Sequence, residues 1–309
     1  MDLPNPVALA TPVFVVLIVA ELLAARFAPG RIRFEARDSL TSMLMGLGSG
    51  LPGALTGSVV VALGAAIHEH RLFDLPMTLP VFLLAFVLDD LAYYAFHRSA
   101  HRVRWFWASH VIHHSSQHYN LTTALRQTWT GFFSASFIFR WPLLLLGFPW
   151  EMVVFVGGLN LVYQFWIHTE AIDRLPRWAE AVLNTPSHHR VHHATNPRYL
   201  DANYAGVFIV WDRLFGTFVG EDDAEPCRYG IVRNLGTFNP LRVALHEWVS
   251  LFRDIRRSRR LSDVLGHAFG PPGWSPDGTR DTTDMIKAKW RAQLARRDDL
   301  SAPPRWESR

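Results

Sequence analysis

Eight histidines fall in three short clusters: His97 with His101, then His110 with His113 and His114, and later His189 with His192 and His193. Neutral imidazole is the commonest side-chain metal ligand, and zinc, copper and iron all accept it. On a helix, a spacing of three or four residues stacks such side chains on one face about a turn apart. Eight donors exceed what one four-coordinate ion needs, so the pattern points to two metals held close together. His168 and His188 are further candidate ligands, whereas His68, His70, His118, His246 and His267 read as structural or surface residues.

Other metal and nucleophile chemistries are poorly served by the chain. His68-Glu69 and His246-Glu247 both lack the second histidine of a His-Glu-x-x-His protease motif, and no Glu-x-x-His of a soluble di-iron bundle occurs. A single cysteine, Cys227, excludes an intramolecular disulfide and thiolate-based zinc or iron–sulfur sites. An all-histidine dinuclear site remains. Iron is preferred for it, because O2 activation needs a redox metal and zinc has no redox role. Asp90, seven residues before His97, and Asp212 are expected to accept a proton from the remote nitrogen of a ligand, fixing its tautomer. The competing reading for Asp90 is an ion pair with Arg98 or Arg102. Tyr93 and Tyr94 read as interfacial aromatics or as lining of a substrate channel.

Elements that could position these clusters are apolar. Residues 7–25 carry one charge, Glu21; residues 39–67 carry none; residues 77–96 are apolar save Asp89 and Asp90. Runs 131–147 and 150–167 follow, separated at Gly147-Phe148-Pro149. With about 20 residues needed per span, this predicts an all-α integral membrane protein with four to five transmembrane helices and a cytoplasmic, histidine-rich helical cap holding a dinuclear metal site. The second run, with Gly46, Gly50, Gly53, Gly57 and Pro52, reads as a tilted helix, a packed small-residue helix or a re-entrant hairpin. Arg140 inside the fourth run suggests that this segment enters one leaflet only.

Arg26, Arg31, Arg33 and Arg37 follow the first run, which places them in the cytoplasm and, by alternation, all three clusters on that same side. The first run reads as an uncleaved anchor. Of 31 basic residues only Lys287 and Lys289 are lysines, a bias that suggests a bacterial inner membrane, and Arg253, Arg256, Arg257, Arg259 and Arg260 are expected on anionic headgroups rather than on nucleic acid. The expected division is membrane helices over 1–76, a catalytic unit over 77–252 and a basic cytoplasmic segment over 253–309, ending in a frayed tail with Pro303-Pro304.

The runs Asp90–His101, Trp107–Ser116, Asn120–Gln127, Tyr163–Glu170, Asn184–His193, Asn203–Gly206 and Trp211–Phe218, with Gly273-Trp274, resemble the fatty acid hydroxylase/sterol desaturase superfamily of membrane di-iron enzymes. The stretches around His168 and His188–His193 are most similar to its alkylglycerol branch. The resemblance implies the eight clustered histidines as ligands of two irons, with His168 and His188 as further, less closely matched candidates. It implies O2-dependent hydroxylation of a lipid C–H bond, with electrons from a separate donor of tetrahydrobiopterin, ferredoxin or cytochrome b5 type. Arg102 stands where animal members carry an acid, a departure that counts against the tetrahydrobiopterin donor, and no fused cytochrome b5 motif is present. Sterol or fatty-acyl hydroxylation or desaturation is the alternative within that class. A zinc-dependent membrane hydrolase and a non-catalytic lipid-binding protein are the alternatives outside it.

Overall fold

The computed structural model describes residues 3–27 and 32–301, with side chains to 296; Arg31 and Pro303-Pro304 lie outside the described residues. Among the described residues the chain is helical and has no strand, only two isolated bridges, Leu183 with Phe208 and Ala194 with Tyr229. Three helices are long and apolar enough to cross a membrane: α1 (Pro6–Phe27), α2 (Ala36–Glu69) and α3 (Leu79–Arg102). Leu9, Val16, Leu47 and Leu55 on α1 and α2 are at least 66% exposed, a surface that only lipid can cover, so this is an integral membrane protein.

The second apolar run forms one unbroken helix of 34 residues, not a hairpin. At about 1.5 Å per residue it measures roughly 51 Å, longer than a hydrocarbon core of about 30 Å, which a tilt or a cap emerging from the membrane accommodates. Its glycines at 46, 50, 53 and 57 do not form a packing stripe within this chain. Gly46 meets the Leu125 carbonyl, whereas Gly50, Gly53 and Gly57 have nothing within 4 Å of where a Cβ would sit.

Residues 131–147 are not a spanning helix. A turn, a 3-10 segment at Ser136–Arg140 and the short α5 (Trp141–Leu146) replace it, and α6 (Trp150–Trp166) has 17 residues. The hairpin nevertheless reaches the far end of the bundle. Leu72 N donates to Leu145 O (2.7 Å) and Leu75 N to Gly147 O (3.3 Å), which ties its tip to the α2–α3 loop. Gly147 is left-handed (φ +97°), and a Cβ there would lie 1.8 Å from Phe73 O, so only glycine fits. Ala85, Leu144, Phe148, Met152 and Val156 form the core between α3, α5 and α6. Arg140 avoids the cost of facing lipid alone by pairing with the fully buried Asp89 (2.6 Å).

Beyond α3 the chain builds a cap: α4 (Arg104–His114), α7 (Arg177–Val182), α8 (Pro186–His193), α9 (Val210–Leu214), α10 (Pro240–Arg257), α11 (Leu261–Phe269) and α12 (Thr283–Ser301). α10 begins at Asn239, whose side chain accepts from Leu241 N and Arg242 N ahead of Pro240, and it runs on past residue 252 into the basic segment.

Candidate metal centre

Two groups of histidines converge where α3, α4, α6 and α8 meet. His97, His101, His110, His114 and His192 form one; His113, His168, His189 and His193 form the other, with ligand atoms within 4.8 Å of one another in each. Residues 110 and 114 are four apart and share a face of α4, while residue 113 lies about 100° away from 114. Hence His110 and His114 enter the first group and His113 the second. α8 does the converse, sending His189 and His193 to the second group and His192 to the first. Each of these helices therefore serves both groups, contrary to the expectation that each cluster acts as one face.

The imidazoles meet through Nε2. In the first group His97–His110, His101–His114, His110–His114 and His114–His192 are separated by 2.9, 3.1, 3.2 and 3.1 Å. In the second, His113–His168, His168–His189 and His189–His193 are 3.1, 3.0 and 3.2 Å apart. Ligands about 2.0–2.1 Å from a shared ion at angles of about 90–109° would stand about 2.9–3.4 Å apart. The Nδ1 atoms turn outward: His97 to Tyr204 O (2.8 Å), His192 to Ala202 O (2.9 Å) and His168 to Gln164 O (2.7 Å). A carbonyl only accepts, so in these three Nδ1 carries the proton and Nε2 presents a bare lone pair. These three bare lone pairs point into clusters whose other ring nitrogens stand at ligand spacing, an arrangement that a cation in each cluster satisfies. The residues present thus fit two metal ions.

Burial also keeps the rings neutral. It pushes the imidazolium pKa of His110, His113, His114, His189, His192 and His193 well below the ordinary value, with the neighbouring histidines adding to the effect, and that of His168 down to about 4. His110 and His113 are half-buried, the other seven are buried, so the groups open to the outside past these two. Phe96 meets His110 edge-on (ring centroids 6.2 Å), and Phe139 packs edge-on against both Phe96 and Phe106, so that opening has an aromatic wall.

His188 does not join either group. Its Nε2 lies 3.0 Å from Glu180 Oε2 and its Nδ1 faces Leu183 O, and a hydrogen bond from Ser187 completes the site around the carboxylate. Burial would raise Glu180, yet His188, Leu175 N and Ser187 together hold it down at about 2.

The two aspartates act at one remove. Asp90 touches no histidine and neither Arg98 nor Arg102; it accepts from Val207 N (2.7 Å), Phe208 N (2.9 Å), Trp211 Nε1 (2.9 Å) and Asn160 Nδ2 (2.9 Å). A carboxylate buried between helices finds its donors in the loop laid across it, a pairing that helical spacing alone could not indicate. Asp212 accepts from Tyr204 N (2.8 Å), Ala205 N (2.8 Å) and Thr217 Oγ1 (2.6 Å), fixing the strand of backbone whose Tyr204 carbonyl receives His97. Tyr93 lies beside His97, ring centroids 5.2 Å apart, and Tyr94 is buried with its hydroxyl 2.9 Å from Thr217 Oγ1, so neither forms a lipid-facing belt.

Sequence reasoning overlooked three supports. Glu21 is buried and accepts from Leu121 N (2.7 Å) and from the Thr169 hydroxyl next to His168. Asp38 pairs with the buried Arg126 and accepts from Ser116, Gln117 and His118, closing the turn after His114. Asp201, left-handed at φ 50°, sits between His101 Nδ1 (3.4 Å) and Arg102 (3.3 Å), and Arg102 also binds Asp284 of α12. A lone acid within an apolar run, as at Glu21, was the one available signal.

Residues 82–217 match the fatty acid hydroxylase family. Alkylglycerol monooxygenases of Xenopus tropicalis and Homo sapiens are each 41% identical over 281 residues, 90% of this chain and 62% of theirs, so the chain spans about three fifths of their length. An ornithine lipid hydroxylase of Rhizobium tropici is 27% identical over 173 residues, 56% of this chain and 51% of its own. No solved structure matches.

Proposed function

We propose, from the match of residues 82–217 to the fatty acid hydroxylase family, that the chain is an O2-dependent di-iron monooxygenase that hydroxylates a C–H bond of a membrane lipid. The observation that carries this reading is the pair of converging groups of buried, neutral imidazoles at the end of the membrane helices. His97, His101, His110, His114 and His192 would hold one iron; His113, His168, His189 and His193 would hold the other. Bound there, iron supplies the redox chemistry by which O2 inserts one oxygen atom into C–H while the other leaves as water, with two electrons from an external donor.

The chain's own part is positioning and exclusion of water. The carbonyls of Tyr204, Ala202 and Gln164 keep Nδ1 protonated in three ligands, so that Nε2 stays free. Asp212 and Asp90 pin the 202–211 backbone against α3. The aromatic opening beside His110 suits an apolar chain, and lipid reaches it from the membrane side. The substrate favoured by the relatives' names is an alkylglycerol, attacked at the carbon next to the ether oxygen. The α-hydroxy ether formed there is a hemiacetal, which collapses to an aldehyde and a glycerol derivative. Hydroxylation of an ornithine lipid is the second reading, favoured by the ornithine lipid hydroxylase relative.

The arginine-bearing α1–α2 linker lies on the histidine side, where Asn120 Nδ2 donates to Arg33 O (3.0 Å), and this supports a cytoplasmic site. The vertebrate relatives, at 41% identity, give no support to the bacterial inner membrane suggested by arginine usage. The deciding test incubates the purified protein in detergent with iron, reductant and an alkylglycerol, and separately with ornithine lipid, under 18O2. O2-dependent release of 18O-labelled aldehyde, trapped at once by reduction to the alcohol, or 18O retained in hydroxylated ornithine lipid, supports the proposal and names the class. Turnover that persists without O2, in a zinc-loaded protein, would replace it with hydrolysis.

A further inference from the structure

α10 is divided into three sectors. Val243, Ala244, Trp248 and Leu251 are buried against α2 and α4. Leu241, Leu245, Val249 and Phe252, within about 80° of arc at 100° per residue, are 43–62% exposed. Arg242 and Arg253 line the edge of this exposed stripe, Arg257 lies farther round the helix, and Arg256 falls within it; all four are exposed. α11 repeats the pattern, with Leu261, Leu265 and Phe269 exposed at intervals of four and Arg259 and Arg260 just ahead of them.

The charge on this surface is one-sided. Glu247 and Asp254 turn inward to Arg104 of α4 (2.7 Å each), and Asp254 also binds Arg280, so the acids of α10 are spent within the protein. The apolar stripe is continuous with the lipid-facing surface of the spanning helices. Thr41 of α2 donates to Phe238 O (2.8 Å) just before α10, beside the exposed Leu40, Leu44 and Leu47. At the other end Phe252 meets Trp105, whose indole donates to the carbonyl of the exposed Phe133 (3.1 Å).

An exposed apolar stripe edged by arginines that pair with no acid among the described residues, joined to a surface that lipid already covers, has the chemistry of a helix lying in the membrane interface. We propose that α10 and α11 lie in the headgroup plane on the histidine side and bind anionic phospholipid. Through Arg104, Glu247 and Asp254 this contact bears on α4, which carries three of the candidate ligands. The inference does not depend on the reaction proposed above.

The test uses the full chain in nanodiscs, with Cys227→Ser and one cysteine at position 249 or, as control, at the exposed Arg291, each carrying an environment-sensitive fluorophore. In phosphatidylcholine discs containing phosphatidylglycerol, the label at 249 is expected to be shielded from iodide and quenched by nitroxide-bearing lipid, unlike the label at 291. Lipid quenching is expected to fall when phosphatidylglycerol is left out, and to become indifferent to it in the R253Q/R256Q/R257Q variant. Iodide access at 249 equal to that at 291 would overturn the proposal. So would shielding from both quenchers, which would mean that a protein covers the face. Lipid quenching that ignores phosphatidylglycerol in the unsubstituted chain would refute the anionic partner.

Discussion

Asp212→Asn is the most informative single change outside the ligands, because it alters one atom that touches no histidine. Oδ1 of Asp212 accepts from Tyr204 N and Thr217 Oγ1, and Oδ2 accepts from Ala205 N. An amide retains one of these oxygens and turns an NH2 group towards a donor on the other side, leaving at least one buried N–H or O–H unsatisfied. Such a group costs about 1–3 kcal/mol. Asp212 is fully buried, so water cannot take over. The strained segment includes Tyr204, whose carbonyl accepts from His97 Nδ1 at 2.8 Å, and loss of such a support lowers metal affinity about 10–100-fold. The assay is iron retention against a graded chelator, with the melting temperature of the metal-free protein measured in parallel. Thr217→Val, which removes one hydroxyl partner but spares both backbone bonds, is expected to lower the melting temperature with little effect on iron retention. If Asp212→Asn lowers only the melting temperature and binds iron as tightly as the parent, Asp212 supports the fold and not the metal site, and the reasoning fails.

Arg140→Met leaves Asp89 buried and unpaired and is expected to cost about 3–5 kcal/mol, most of it recovered in the R140M/D89L double variant, as read by unfolding in detergent. Gly147→Ala places a methyl 1.8 Å from Phe73 O in a left-handed turn, so a large loss of folded yield is expected in a size-exclusion assay. Glu180 is depressed to about 2 in the folded protein, below its ordinary value of 4.5; its contribution is therefore present above pH 4.5 and is lost as pH falls towards 2. Glu180→Gln should flatten the acid limb of the stability profile in that window while leaving iron stoichiometry intact, since His188 lies outside both groups.

Much of this architecture was legible because both signals are local. Apolar length marked α1, α2 and α3, and histidine spacing marked the candidate ligands on α3, α4 and α8. The partition between two groups was harder to read, although the 100° step between His113 and His114 already implies it. His168 was legible only as a candidate, because it follows α6 with no partner nearby in sequence. The carbonyls of Tyr204, Ala202 and Gln164 leave no trace in side-chain type, so the partners that set the tautomers could not be foreseen. Asp90 was rightly singled out as a costly intramembrane acid, but its partners are backbone N–H groups more than a hundred residues away. The run at 131–147 has the apolarity of a span and breaks at Ala135, left-handed at φ 55°, which hydropathy does not register.

The central claim, two ions shared between a five-histidine and a four-histidine group, is tested most directly by metal counting on paired variants. The parent protein is expected to hold two irons per chain. H97A/H101A, confined to the first group, and H189A/H193A, confined to the second, are each expected to retain one. Zinc in place of iron, a single iron in the parent, or loss of all metal from one pair with none lost from the other would contradict it.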